Sequence, residues 1–246
     1  MTSKIIVVMK DKLRQLRRNI YEWFGNPKYS RPGLNELDLK LEKYLTFKNG
    51  FFIEVGANDG YAQSNTYYLE KFLGWRGILV EGIPELYQKC KRIRTKSFVY
   101  NCALVSKDFS DSFVEMHYAN LMSVVEGSFK NKSREDDHIE SGLAIQKIEK
   151  SYKIKVPART LESILDEFPE LPSIELLSLD VEGYELNILQ GLNLTKYRPC
   201  YILVEILDKS GLFDEISSFL SSDYDMLAKL SPIDYLFKLK SANKIV

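Results

Sequence analysis

The sequence is poor in cysteine. Its three cysteines, Cys90, Cys102 and Cys200, are far apart in a chain of 246 residues and do not have the spacing of metal ligands. A sparse, odd set of cysteines is more typical of a reducing compartment than of a disulfide framework. We therefore expect a cytoplasmic protein without structural disulfides.

An excess of charge of one sign and long apolar runs are also lacking. Lysine and arginine together number 34, as do aspartate and glutamate, so the formal net charge is zero. Because no net field attracts a polyanion, we expect no nucleic-acid partner.

The apolar stretch over residues 5–9 is too short to cross a bilayer, and no small-residue cleavage site follows it. We expect no transmembrane segment.

Hydrophobic residues make up 45% of the sequence, which is enough for one sizeable core. We predict an N-terminal helical extension over residues 1–44 and one domain over residues 45–246. Apolar residues at helical spacing, opposite several basic residues, predict an amphipathic helix over residues 10–24. Two alternatives stay open for this helix: its apolar side packs on the domain, or the basic helix contacts an acidic membrane or partner.

Strands and helices alternate through the rest of the chain. We predict strands over residues 51–55, 77–81, 98–104, 175–180 and 201–206, and helices over residues 35–44, 65–72, 84–92, 160–168 and 184–192. Several of these strands are apolar throughout, which is typical of strands buried on both faces of a parallel sheet. The pattern indicates a doubly wound α/β fold. A helix over residues 213–220 and strands over residues 225–230 and 235–239 follow.

An acidic residue stands at or near the end of four predicted strands. These residues are Glu54, Glu81, Asp180 and Glu205. Right-handed crossovers place the carboxyl ends of parallel strands at one edge of the sheet, so we expect the four side chains to converge there.

The turn after the first strand carries Gly56 and Gly60 and favours one kind of nucleotide. A dinucleotide fingerprint, G-x-G-x-x-G, lets the backbone approach a pyrophosphate, but here Asn58 takes the place of the middle glycine. Glu81, about twenty residues further on, suits the two ribose hydroxyls. The pattern indicates adenosine without a required phosphate. Glu54 suits the amino-acid end of S-adenosylmethionine, or else it bonds turn amides for structure only.

Five segments in order resemble the FkbM-type S-adenosylmethionine-dependent methyltransferases. They read FIEVGANDG (52–60), LVEG (79–82), NCAL (101–104), RTL (159–161) and LSLDVEGYE (177–185). The resemblance covers roughly residues 45–210. It implies a Rossmann-like class I methyltransferase sheet closed by the antiparallel hairpin, and methylation of a sugar hydroxyl in a glycan, polysaccharide or glycosylated precursor.

The resemblance also implies the cofactor site. Gly56, Asn58 and Gly60 would shape the methionine end, Glu81 would hold the ribose, and residues 101–103 would border the adenine. The full set of predicted cofactor residues is Glu54, Gly56, Asn58, Asp59, Gly60, Ser64, Glu81, Asn101, Cys102, Ala103 and Asp180. Two departures are visible, because the family often has Asp where Glu54 stands and Pro where Gly82 stands.

A sugar hydroxyl is a poor nucleophile and needs a base or a metal to take up or acidify its proton. The two histidines, His117 and His138, fall outside the predicted strand ends, so the catalytic candidates are Asp180, Glu182 and Glu205. Either these carboxylates hold Mg²⁺ or Mn²⁺, with Asp180 and Glu205 as metal ligands, or Asp180 or Glu182 is the base. In a third interpretation Asp180 touches the cofactor, Glu182 bonds the turn and Glu185 caps the next helix.

The segment between the third strand and residue 159 is an insertion. We predict a hairpin over residues 112–125 and a charged surface loop over residues 130–140, within a lid that extends over residues 126–142. His138 is not expected to form a metal cluster with its neighbours Asp136 and Asp137. Two other functions stay open beside the methyltransferase. The first is a non-catalytic binding module that keeps the methyltransferase fold, and the second is an NAD-linked enzyme.

Overall fold

The computed structural model describes residues 2–128, 132–146, 151–207 and 211–241. The helices in these ranges are α1 (Thr2–Trp23), α2 (Leu37–Leu41), α3 (Tyr67–Phe72), α4 (Pro84–Ile93), α5 (Lys132–Gln146), α6 (Leu161–Leu165), α7 (Glu185–Gln190) and α8 (Leu212–Leu220). The strands are β1 (Phe51–Val55), β2 (Arg76–Val80), β3 (Phe98–Tyr100), β4 (Ala103–Leu104), β5 (Phe113–His117), β6 (Val124–Val125), β7 (Lys153–Arg159), β8 (Leu176–Leu179), β9 (Tyr201–Glu205), β10 (Tyr224–Lys229) and β11 (Asp234–Leu239). Short 3₁₀ helices span Leu34–Glu36 and Asn120–Met122.

The main sheet has the strand order β10-β11-β9-β8-β1-β2-β3. Strands β9, β8, β1, β2 and β3 run parallel, and β11 and β10 close the sheet as an antiparallel hairpin. The prediction of a Rossmann-like α/β sheet with a closing hairpin is therefore confirmed. Among the described residues, no helix is long and apolar enough to cross a membrane.

The core lies on both faces of this sheet because successive strand residues point in opposite directions. In β1, Ile53 packs on one face with residues of α6, α7 and α8, while Phe52 packs on the other with residues of α2, α3 and α4. Both side chains are fully buried. This two-sided burial explains the uninterrupted apolar strands of the sequence and confirms the doubly wound arrangement.

The predicted strand over residues 98–104 is wrong, because it is two strands in two sheets. β3 pairs with β2 in the main sheet, whereas β4 belongs to a second sheet of order β4-β7-β5-β6. Asn101 lies at the break, where its side-chain amide donates to the carbonyl oxygens of Glu81 and Gly82, both at 2.8 Å. The predicted hairpin over residues 112–125 is present as β5 and β6, with the second 3₁₀ helix between them.

The charged surface loop predicted over residues 130–140 is also wrong. Residues 130 and 131 lie outside the described residues, but the segment from Lys132 to Gln146 is the helix α5. Ile139 buries its side chain beside Ala119 and Val124, and Gly142 approaches Met122. The helix therefore packs on the second 3₁₀ helix.

The N-terminal helix is longer than predicted and is oriented unexpectedly. Its apolar residues from Met9 to Phe24 are exposed, while Arg18 is buried against the domain. The alternative in which the apolar side packs on the domain is thus wrong. The helix predicted over residues 35–44 is shorter. Asn35 and Glu36, within the first 3₁₀ helix, have left-handed backbone angles, so α2 begins only at Leu37, and it ends at Leu41.

A buried arginine joins the elements around β1. Arg94, directly after α4, is fully buried and donates from Nε to Glu70 on α3 at 3.1 Å and from Nη1 to Glu54 on β1 at 3.2 Å. Its Nη2 donates to the hydroxyl of Thr66 at 2.8 Å, and its Nη1 reaches the carbonyl oxygen of Gly60 at 3.3 Å. One guanidinium therefore ties together β1, the loop after it, α3 and α4.

Replacing Arg94 with methionine should destabilise the protein by about 3–5 kcal/mol, because Glu54 and Glu70 would remain buried without a counter-charge. Arg92→Met is the matched control from the last turn of α4, since Arg92 is exposed and its replacement should change the free energy of unfolding by less than about 0.5 kcal/mol. Urea unfolding of both variants measures the difference. Equal stabilities would show that the buried arginine does not hold these elements.

The turns after β1 and β8 touch at Gly56. This residue has a φ of +83°, and a Cβ atom placed on it would lie 1.8 Å from the carbonyl oxygen of Asp180. The amide of Asp180 in turn donates to the carbonyl of Val55 at 3.2 Å. Only glycine allows this approach, which brings Asp180 next to the end of β1.

Gly56→Ala should therefore be more destabilising than an ordinary substitution at positive φ. Gly25 is the matched control, because its φ is +69° and no atom lies within 4 Å of a Cβ built there. Gly25→Ala should lower the free energy of unfolding by about 1–2 kcal/mol, because of the backbone conformation alone. Gly56→Ala should lower it by about 1–3 kcal/mol more, because the added methyl group meets Asp180. Thermal and urea unfolding measure both, and equal losses would contradict the close approach.

Candidate active site

A cleft opens at the carboxyl ends of β1, β2 and β8, beneath the second 3₁₀ helix. Of the residues predicted to bind the cofactor, those that line it are Glu54, Gly56, Asn58, Ser64, Glu81, Cys102, Ala103 and Asp180. Asp59, Gly60 and Asn101 are not among the lining residues. The expected convergence at the strand ends thus brings Glu54, Glu81 and Asp180 into one cavity.

The three predicted residues outside the lining shape the loops behind it. Asp59 Oδ1 accepts from the amides of Tyr61 and Ala62 at 2.9 and 2.7 Å. Gly60 leaves room for Arg94, whose Cγ would lie 2.9 Å from a Cβ at this position. Asn101 bonds the chain after β2, as described above. A direct contact of these three residues with a cofactor stays a prediction.

Glu81 is held rigidly at the end of β2. Its two carboxylate oxygens accept from the amides of Asn58 at 2.8 Å and Ile83 at 2.7 Å. Burial raises the pKa of Glu81 to about 7, against the effect of these hydrogen bonds. Asn58 has a φ of +48°, a left-handed conformation that asparagine adopts more readily than most residues. Asparagine in the place of a glycine is therefore compatible with the turn that presents this amide to Glu81.

Glu54 is already well supplied with donors. Its oxygens accept from the Ser64 hydroxyl, the Asn65 amide, the Thr66 hydroxyl and Arg94. Its role at the methionine end stays a prediction, because the carboxylate borders the cleft but is bonded to protein groups.

Asn65 is a candidate that the sequence analysis missed. Its side-chain amide donates to the hydroxyl of Ser178 at 3.2 Å, and its Oδ1 is buried without a hydrogen-bond partner among the described residues. Asn65 lines the cleft beside Glu54. An unpaired buried acceptor costs free energy that a ligand donor would recover. Its only signal in the sequence is its position at the start of a predicted helix.

Left-handed residues concentrate around the cleft. Asn58, Gln63, Asn120 and Glu182 are not glycine, yet they have φ values of +48°, +58°, +54° and +57°. All four line the cavity. Such conformations cost free energy and are typical of binding and catalytic sites that the surrounding structure holds in place.

Three carboxylates meet at one end of the cleft. Oxygen atoms of Asp180, Glu182 and Glu205 lie within 4.8 Å of one another. Asp180 and Glu182 line the cavity, whereas Glu205 lies behind them at the end of β9 and is 9% exposed. Burial raises the pKa values of Asp180 and Glu205, and the neighbouring carboxylates raise them further. A shared proton or a bound cation would relieve the repulsion.

His138 lies beside this group, so the expectation that both histidines stand away from the strand ends is wrong. Its Nε2 is 3.1 Å from Glu182 Oε2. The difference follows from α5, a helix where the sequence predicts a loop, which brings His138 to Glu182. His117 remains on β5 in the second sheet, 4.0 Å from Glu126.

A second group with possible ligand geometry is formed by Glu115, His117 and Glu126. The ammonium of Lys153 lies 2.8 Å from both Glu115 and Glu126. Because this ammonium already compensates the two carboxylates, the group offers a weaker case for a cation than the one at β8 and β9.

Glu185 supports the loop that carries the carboxylates. Its Oε1 accepts from the amides of Val181 at 3.2 Å and Gly183 at 3.0 Å, at the start of α7. Burial raises the pKa of Glu185 to about 8. This residue therefore fixes the turn on which Glu182 stands.

Comparison with known proteins identifies the family. The sequence matches the methyltransferase FkbM domain over residues 54–227. A protein named Methyltransferase 1, from Beauveria bassiana (strain ARSEF 2860), is 27% identical over 95 residues, which span 38% of this chain and 38% of that relative's length.

Similar solved structures include two S-adenosylmethionine-dependent methyltransferases. The TehB-like enzyme from Corynebacterium glutamicum has 13% identity and a TM-score of 0.40, with 95% of this chain and 99% of that chain covered. The enzyme from Thiobacillus denitrificans, in complex with S-adenosyl-L-homocysteine, has 10% identity and a TM-score of 0.34, with 86% and 72% covered. Since the domain match spans most of the sequence and contains the cleft, the chain belongs to the methyltransferase FkbM family.

Proposed function

We propose that this protein transfers a methyl group from S-adenosylmethionine to a hydroxyl of a sugar in a glycan, a polysaccharide or a glycosylated precursor. The observation that carries the proposal is one cleft, inside the region that matches the FkbM domain, with a ribose-type carboxylate at β2 and a carboxylate group at β8 and β9. Cofactor and proton acceptor would thus lie in the same cavity.

Residues on the loops after β1, β2 and β3 would hold the cofactor. Glu81 keeps lone pairs free beside its two amide bonds and would accept from both ribose hydroxyls. The unpaired Oδ1 of Asn65, next to Glu54, would accept from the ammonium of the methionine end. Cys102 and Ala103 would border the adenine.

Bound S-adenosylmethionine supplies a methyl group on a positively charged sulfur. In the proposed reaction the acceptor oxygen would take this methyl group as the carbon–sulfur bond breaks, and the hydroxyl proton would pass to a carboxylate. Asp180 and Glu182 border the cavity and would take this proton or orient the hydroxyl. The His138 ring, whose Nε2 lies 3.1 Å from Glu182 Oε2, would hold the Glu182 carboxylate in place. Alignment in such a site contributes about 7–11 kcal/mol in favourable systems.

The same carboxylates fit a divalent cation. Their donors are hard oxygens, and Glu205 Oε2 is buried without a hydrogen-bond partner among the described residues. Asp180 and Glu205 would then hold Mg²⁺ or Mn²⁺. The cation would supply Lewis acidity to a coordinated hydroxyl.

The alternative function is a binding module that keeps the fold without catalysis. The acids at Glu81, Asp180 and Glu182 and the strained loop residues around the cleft support an enzyme instead, because a binding module would not need the proton acceptor. We also propose a cytoplasmic location and no nucleic-acid partner. The free thiols of all three cysteines and the balanced charge support these assignments.

The cofactor assignment predicts that S-adenosylhomocysteine raises the melting temperature, because a ligand that binds the native state stabilises it. Glu81→Gln should weaken binding by roughly 1.5–3 kcal/mol, since one charged acceptor is lost. Glu85→Gln is the matched control, because Glu85 is exposed on α4 outside the cleft. Calorimetric titration measures the affinities. A rise of the melting temperature with NAD but not with S-adenosylhomocysteine would contradict the cofactor assignment.

The pKa of Glu81 adds a pH test to the same titration. With a pKa of about 7, this carboxyl is protonated below neutral pH and loses acceptor capacity for the ribose hydroxyls. Affinity should therefore fall as the pH is lowered through 7. The Glu81→Gln variant should lack this part of the pH dependence, because glutamine does not titrate.

The reaction itself predicts methylated sugar product from labelled S-adenosylmethionine and a panel of glycan and sugar-precursor acceptors, detected by mass. With a cation, EDTA should stop turnover, Mg²⁺ or Mn²⁺ should restore it, and Asp180→Asn and Glu205→Gln should weaken the metal dependence. With a carboxylate base, EDTA should have no effect, and Asp180→Asn or Glu182→Gln should lower kcat sharply while cofactor affinity is retained.

Asp214→Asn is the control for these variants, because Asp214 is exposed on α8. Full activity of all three carboxylate variants in EDTA would contradict both proposed roles. Cofactor binding without product on any acceptor, in the presence of metal, would favour the binding module.

A further inference from the structure

The exposed face of α1 is a surface that the proposed reaction does not use. We propose that it docks on the surface of an anionic lipid bilayer, with the helix lying along the membrane.

The orientation of α1 is fixed by its polar side. The guanidinium of Arg18 lies 3.6 Å from the centre of the Tyr61 ring, and Glu22 accepts from the hydroxyls of Tyr67 at 2.7 Å and Ser30 at 2.8 Å. Arg17 lies 4.0 Å from the ring centre of Tyr29. Rotating the helix to bury its apolar side would break all of these contacts.

An apolar stripe therefore faces outward along the opposite side. It follows helical spacing and ends in two aromatic residues. The exposed fractions are 58% for Met9, 62% for Leu13, 56% for Leu16, 47% for Ile20, 82% for Trp23 and 72% for Phe24. Aromatic side chains at one end of an amphipathic helix favour the boundary between acyl chains and water. We name these six residues the outer stripe.

Exposed basic residues flank the outer stripe. Lys12 lies on one side of it, and Lys10 and Arg17 lie on the other. Their long side chains carry charge beyond the apolar residues, which is the arrangement that places ammonium and guanidinium groups among anionic headgroups. The rest of the protein balances this local excess, since the whole chain has no net charge.

These flanking charges also argue against a second copy of the chain as the partner. Two outer stripes packed against each other would bring Lys10, Lys12 and Arg17 of both copies to one seam, where like charges repel. Anionic lipid supplies the opposite charge along both flanks and an apolar layer between them. The bilayer surface therefore matches both the apolar outer stripe and the basic residues that flank it.

Sedimentation of the 246-residue chain with vesicles tests the proposal. Phosphatidylcholine vesicles that contain one third phosphatidylglycerol should bind the protein at least tenfold more than pure phosphatidylcholine, and high salt should weaken binding. Leu16→Glu/Trp23→Glu should lower binding at least tenfold. Met226→Glu/Leu227→Glu is the matched control, because it replaces two exposed apolar residues of β10 and should leave vesicle binding unchanged.

Unchanged melting temperatures would show that the variants remain folded, as their exposed positions predict. Equal sedimentation with both vesicle types, or equal loss in both double variants, would overturn the proposal. A dimer of the unmodified protein in light scattering, converted to a monomer by Leu16→Glu/Trp23→Glu, would also overturn it in favour of a second copy. None of these readouts depends on the cofactor, so they stand apart from the methyl-transfer assays.

Discussion

The buried charge of Arg94 is the constraint on which the cleft depends. It compensates Glu54 on β1 and Glu70 on α3, and it bonds the loop between them. A buried ion pair gives little net stability over apolar packing, but removal of one partner is costly. The main role of this network is therefore to fix the position of the loop after β1 relative to α3 and α4. The backbone of that loop then meets Glu81, through the amide of Asn58.

From this anchor the site is assembled by close contacts between loops. Gly56 allows the turns after β1 and β8 to touch, and this contact sets Asp180 beside the end of β1. Glu185 holds the turn after β8, while α5 brings His138 to Glu182. The left-handed residues in these loops are held by their neighbours, as expected where the backbone is bent to present groups to a ligand. Contacts within the protein thus hold the residues of the cleft in place, which favours its proposed use in catalysis.

The sequence was a good guide to the main sheet and to the strand-end acids, because continuous apolar runs identify strands that are buried on both faces. It was a poor guide where tertiary contacts override local pattern. Strand β7 of the second sheet is half-exposed, and α5 buries few apolar side chains, so neither stands out from the charged insertion around it. The sequence pattern does not single out Arg94, and nothing in the amphipathic pattern of α1 shows that Arg18, rather than the apolar side, faces the domain. Ring and ion contacts between distant segments decided both cases.

In the proposed function, the cleft beneath the second 3₁₀ helix would bind S-adenosylmethionine with its methyl group directed at the carboxylates of β8 and β9. A crystal structure of the protein with S-adenosylhomocysteine would show where the cofactor lies. We expect both ribose hydroxyls on Glu81, the amino group near Asn65, and the sulfur facing Asp180 and Glu182. A ligand that binds elsewhere, or in the cleft with its ribose away from Glu81 and its sulfur away from these carboxylates, would contradict it.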